Sequence, residues 1–185
     1  MNKGKELRTA GLLIGSGIIF FIVSLFVAEA LYPGYSISNN YISDLGVGPS
    51  ANVFNFSIIV LGLLLAGGAY FYSQGIKGKV FPVLIGIAGI AAIGVGIFNE
   101  HFGVIHVIFS FIVFFFGGIA AVYYSAREKN VIKYPSAVLG IIGLIALGLF
   151  TSDIYLGIGP GGMERMIVYP LLLWGVLLSG RLLAA

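Results

Sequence analysis

Six stretches of about twenty apolar residues, separated by short polar breaks, leave this chain few folds to choose from. A helix needs about 20 such residues to cross the hydrocarbon core of a bilayer, and the runs at 10–32, 53–73, 80–98, 104–125, 136–155 and 163–183 meet that length or nearly so. The breaks carry Gly, Pro, Asn, Ser or charge, which is the chemistry of turns. Only 9% of the residues are charged, against about 25% in a soluble domain, too few to coat a water-soluble surface. The expected fold is all-α: a polytopic membrane protein, one domain over 1–185, built as a bundle of six transmembrane helices. The 28 glycines suit helices that pack closely in lipid.

Orientation follows from Lys and Arg, which mark the cytoplasmic side of a membrane protein. Lys3, Lys5, Arg8, Lys77, Lys79, Arg127, Lys129, Lys133 and Arg181 fall on one side of the six-span arrangement, nine of the ten basic residues. Both termini are therefore expected in the cytoplasm, in a multi-pass protein of the cytoplasmic membrane. Tyr32, Tyr35 and Tyr155 at one level, and Tyr70, Tyr72, Tyr123 and Tyr124 at the other, read as interfacial belts. The first span follows basic residues and ends in Ala28-Glu29-Ala30, which resembles a signal-peptide cleavage site. Its apolar run is longer than such peptides carry, so the expectation is an uncleaved span.

Several functions are excluded. The basic balance is set by topology, so it does not point to nucleic acid. The chain has no Cys, hence no disulfide, thiolate metal site or cysteine nucleophile. No Lys lies mid-span to carry a Schiff base. The two His, five residues apart at one membrane edge, cannot ligate a haem across the bilayer.

The acids gather opposite the basic side. Glu29, Asp44, Glu100, Asp153 and Glu164 map to the extracytoplasmic ends of helices or loops, with His101, His106 and Arg165. Ionisable groups at membrane depth are costly and mark function by default. Glu29 and Asp153 read as solvated helix ends or as site members. His106, one turn into the fourth span among apolar neighbours, is either a satisfied core histidine or a catalytic, relay or ligand group. Arg165 beside Glu164 is a snorkelling interfacial pair or an anion clamp. The run from Asn39 through Asn40, Ser43 and Asp44 to Gly46 is the most site-like segment, although Ser43-Asp44 serves equally as a helix cap. An aliphatic–Phe pair shortly before an acid recurs at Leu25-Phe26, Ile97-Phe98 and Leu149-Phe150, hinting at three hairpins around a shared mouth.

The segment Tyr41-Ile42-Ser43-Asp44-Leu45-Gly46 after a first span, His106 early in the fourth, and Gly162-Met163-Glu164-Arg165 opening a last span that holds Trp174 together carry a resemblance. They resemble a large prokaryotic family of six-helix membrane proteins catalogued as a domain of unknown function. The resemblance covers about residues 10–183. It implies the six-helix fold and directs attention to Asp44, His106 and Arg165, and it brings no settled activity. The family often shows Gln where this chain has Glu164.

Three functions stay open. The polar mouth binds or moves a membrane lipid headgroup or small ligand, with Arg165, Glu164, Asn40 and Glu100 as contacts. Alternatively the protein is an intramembrane hydrolase or transferase acting on lipid, with Asp44 and His106 as base and orienter and Ser43 as nucleophile. Its metal-dependent version would hold zinc or another divalent ion on His106, His101, Glu100 and Asp44. In the third, the same groups form only a structural hydrogen-bond network. Mid-span polar residues are few, which disfavours a through-going ion path.

Overall fold

The computed structural model describes residues 3–185, so Met1 and Asn2 of the expected domain lie outside the described residues. Six helices carry the chain: α1 (Lys3–Leu31), α2 (Ala51–Gly75), α3 (Val80–Ile97), α4 (Val104–Arg127), α5 (Lys133–Thr151) and α6 (Gly159–Leu183). Each is long and apolar enough to cross a membrane, and no strand occurs among the described residues. Both chain ends share one face, where Arg8 Nε donates to the Ala185 carbonyl at 2.8 Å. We call this the terminal face, and the opposite one, which carries the connections after α1, α3 and α5, the loop face.

The helix bounds differ from the apolar runs where backbone chemistry outweighs hydropathy. α1 extends to Lys3, well before the apolar run begins, because Lys, Glu and Arg are good helix formers even outside the hydrocarbon. α6 starts at Gly159, with Pro160 in the first turn, where the missing N–H costs nothing. α5 stops at Thr151, short of the expected Tyr155, because Asp153 (φ 58°) and Leu156 (φ 50°) adopt left-handed backbone that a helix cannot continue.

The bundle is built inside out. Phe26, Leu63, Ile90, Val107, Ile145 and Leu173 point their side chains outward, which in water would be an aggregation surface and in lipid is the solvated one. Neighbours in sequence are neighbours in space, and α1 packs on α6 to close the ring, while α4 also touches α6 and leaves α5 strapped over their seam. Close approach comes from missing side chains. A Cβ on Gly62 would stand 2.5 Å from the Gly89 carbonyl, and one on Gly89 would stand 2.8 Å from that of Gly62, so α2 and α3 meet backbone to backbone.

Two members of the terminal-face tyrosine belt are corrected by the packing. Tyr72 and Tyr124 are buried at the terminal end of the bundle, where they meet Phe81, and Phe81 and Tyr124 in turn meet Trp174, at centroid distances of 4.7–6.4 Å. Tyr124 donates to Glu128 at 2.8 Å, and Glu128 pairs with Arg181 at 3.3 Å. These groups form a floor under the bundle interior. Burial alone would raise the Glu128 carboxyl, but hydrogen bonds from Asn130, Tyr124 and Lys129, with Arg181 beside it, hold it down at about 2.

Candidate functional site

The loop-face site begins with the guanidinium of Arg165, on the second turn of α6 and 5% exposed. Nη1 donates to the carbonyls of Ile37 (3.0 Å), Asn40 (3.3 Å) and Gly161 (3.0 Å). Nη2 donates to Glu29 Oε1 and to the Tyr35 hydroxyl, both at 2.7 Å. The ring of Tyr35 also lies 5.4 Å from the guanidinium carbon. One side chain thus ties the end of α1, the 32–50 loop and the start of α6 together. Burial pushes the Tyr35 phenol up to about 12 despite the guanidinium beside it, so it stays protonated and passes its own hydrogen bond to the Tyr41 carbonyl (2.8 Å).

The loop descends onto α6 because Gly161 has no side chain. A Cβ there would sit 2.0 Å from the Asn40 carbonyl oxygen, and instead the Gly161 N–H donates to Ser38 at 2.9 Å. Held in this way, the loop folds the 3₁₀ turn Ser43–Gly46 over the bundle mouth. Ile42 and Leu45 are buried beneath it, and the Ile42 N–H donates to Glu164 Oε2. Glu164 is 6% exposed, so its carboxylate is received by backbone and not by water.

Asp44 faces sideways within the loop. Its Oδ2 accepts from Asn40 Nδ2 (2.8 Å) and the Tyr41 N–H (3.0 Å), and Glu100, in the 3₁₀ turn Glu100–Phe102, stands within hydrogen-bonding reach of it. Burial, then the Asp44 hydrogen bond and charge, push Glu100 up to about 7. His106 is buried on α4. Its Nδ1 lies 2.8 Å from the Phe98 carbonyl, one of the acceptors left over where α3 ends, and its Nε2 lies 3.3 Å from Ser110 Oγ.

Below these groups lies a cavity of about 120 Å³, lined by α1, α2, α3, α4 and α6. Its walls are almost wholly apolar. Ser43, Glu164, His106 and Ser110 line its loop-face end, and Trp174 lines it above the aromatic floor. From Glu164 to Trp174 along α6 is about 15 Å at 1.5 Å per residue. Trp174 is 4% exposed, and its indole N–H has no partner among the described residues.

The structure therefore divides the residues singled out from sequence. Glu164, His106 and Ser43 meet at the cavity; Asp44, Asn40 and Glu100 form a neighbouring cluster on the mouth. Arg165 is not among the cavity-lining residues and spends its Nη donors on protein groups. Asp44 does not orient His106, whose Nδ1 is taken by Phe98, so the arrangement holds no Ser43–His106–Asp44 relay. His101 is exposed on its turn, and no three of His, Asp or Glu gather in metal-ligating fashion among the described residues, so the His106, His101, Glu100 and Asp44 donor set is not assembled. Asp153 is exposed and accepts from Tyr155, apart from the other acids. Sequence reasoning missed Glu29 as the partner of Arg165, and Tyr35 as its second acceptor. It also missed the cavity itself, whose one sequence signal was a lone Trp174 in an apolar span.

Fold and site together define an integral membrane protein with six helical spans and a polar loop over an apolar cavity. The chain belongs to a family described as "Protein of unknown function (DUF998)", whose model matches residues 14–181. No curated protein and no solved structure matches it.

Proposed function

We propose that this protein binds a small amphiphile, with its polar end under the loop-face lid and its apolar part inside the bundle. The observation that carries this reading is the form of the cavity: apolar walls, polar side chains gathered at one end, and Trp174 toward the other, packed on Phe81 and, through it, on Tyr72 and Tyr124. Ligand sites have this make-up, mostly apolar with a few placed polar groups. The volume matters too. An engineered apolar cavity of about 150 Å³ holds benzene, so about 120 Å³ suits a short or slender apolar body. The membrane supplies such molecules, and N and C termini in the cytoplasm would place the lid on the outer side, as the basic residues on the terminal face suggest.

The reading is tested by filling the cavity. Ala88 lines it and is 4% exposed, so Ala88→Leu puts three carbons into the space. Short-chain amphiphiles should raise the unfolding temperature of the wild-type protein in nanodiscs, since a ligand at 100 times its Kd adds about 2.7 kcal/mol to folded-state stability. They should leave the filled variant unmoved. Equal shifts in both proteins would place the binding elsewhere.

A further inference from the structure

We propose that the polar end of the ligand is a cation, an ammonium on a short apolar body, received by Glu164 beside the Ser110 hydroxyl that His106 orients. This rests on the reading of the cavity as a ligand site, and it reverses the anionic headgroup that Arg165 suggests from sequence.

The hydrogen-bonding character of the roof decides the sign. The one guanidinium on this face is not among the cavity-lining residues: Nη2 bonds Glu29 and Tyr35, Nη1 bonds three carbonyls, and the buried Nε has no partner among the described residues. What faces the cavity at this end is the Glu164 carboxylate, with the hydroxyls of Ser43 and Ser110 and the ring of His106. Glu164 has one carboxylate oxygen on the Ile42 N–H and the other with no donor among the described residues. The Phe98 carbonyl can only accept, so His106 Nδ1 carries the ring proton, Nε2 takes the Ser110 hydroxyl, and the Ser110 oxygen keeps its acceptor lone pairs. Arg165, one residue along the helix, is the strongest charge acting on Glu164, and the others are the acids Glu100 and Asp44.

A carboxylate out of water needs a counter-charge or a proton. Arg165 is adjacent to Glu164 in sequence, yet its direct ion pair is with Glu29. An ammonium supplies what the roof lacks: one positive charge and several N–H donors. The aromatic rings of Phe21, Phe54 and Phe114 that line the cavity also suit a cation better than an anion. An independent sign that this space is made to be occupied is the indole N–H of Trp174 in its wall, which has no partner among the described residues, since buried polar groups are ordinarily satisfied.

The test uses the full protein in nanodiscs of zwitterionic lipid, with hexylamine, hexanol and hexanoate as probes. Trp174 is the single tryptophan, so its emission reports the cavity directly. The amine should bind at least about tenfold more tightly than the carboxylate, with the alcohol between them. In Glu164→Gln the amine's advantage should fall to about the level of the alcohol. The ranking in wild-type protein decides the matter even if that variant fails to fold. Hexanoate binding as tightly as hexylamine would overturn the cationic head and leave the cavity reading standing. If none of the three changes Trp174 emission or the unfolding temperature, both readings fail.

Discussion

Arg165 Nη2 lies 2.7 Å from Glu29 Oε1, joining residues 136 positions apart, with the arginine side chain 5% and the glutamate side chain 19% exposed. This contact fastens the last helix to the end of the first, where the ring of helices closes, and it fixes the loop that lids the cavity. Removing one partner leaves the other charged and unpaired in a low-dielectric site. Arg165→Leu should therefore cost about 3–5 kcal/mol in unfolding experiments. Glu29→Leu with Arg165→Leu should recover part of that loss, though not the hydrogen bonds to Ile37, Asn40 and Gly161. A double variant no better than the single would show that the carbonyl contacts, and not the ion pair, carry the stability.

The lid depends on a backbone contact as much as on charge. Gly161→Ala drives a methyl group to 2.0 Å from the Asn40 carbonyl oxygen, which the loop can relieve only by lifting. The expected cost is about 1–3 kcal/mol. It should be accompanied by faster hydrogen exchange at Asn40 and Ile42, whose N–H groups are bonded in the closed lid, while exchange in α3 stays unchanged.

Stability should fall as pH rises from about 4.5 to about 7. Glu100 has its carboxyl pushed up from 4.5 to about 7 by burial and by Asp44. The folded state thus holds this proton more tightly than the unfolded chain does. Its contribution is fully present below 4.5 and is lost as the group ionises near 7. Unfolding temperatures across that range should show the downward slope in wild-type protein and a flatter profile in Glu100→Gln.

The expected orientation is open to direct labelling, because the chain has no Cys to interfere. Val131, between α4 and α5, and Leu156, between α5 and α6, are 79% and 71% exposed. In intact cells, Leu156→Cys should react with an impermeant maleimide from outside, and Val131→Cys only after the membrane is opened. The reverse pattern would put the lid in the cytoplasm.

The six spans were legible because crossing a bilayer demands long apolar runs, and the demand is local. The ends were less so, as the left-handed turn at Asp153 and Leu156 shows. The gathering of polar groups on one face could be read from charge placement. Their pairing could not. Nothing near Glu29 says that Arg165 will reach it, so it passed equally for a solvated helix end. His106 looked available to Asp44 until the end of α3 brought the Phe98 carbonyl to its Nδ1. The cavity was least legible of all, since it is what remains after five helices pack, with Ala88, Ala92 and Gly117 too small to fill the middle.

The most direct measurement is quenching of Trp174 by a bromine-terminated hexylamine, because bromine quenches only on near contact and the indole lies on the cavity wall. A ligand seated with its head at Glu164 would carry the bromine toward the floor. The account predicts saturable quenching in wild-type protein, displaced by unbrominated hexylamine and lost in Ala88→Leu. Emission that stays unquenched at saturating amine, or quenching of equal strength in the filled variant, would contradict it.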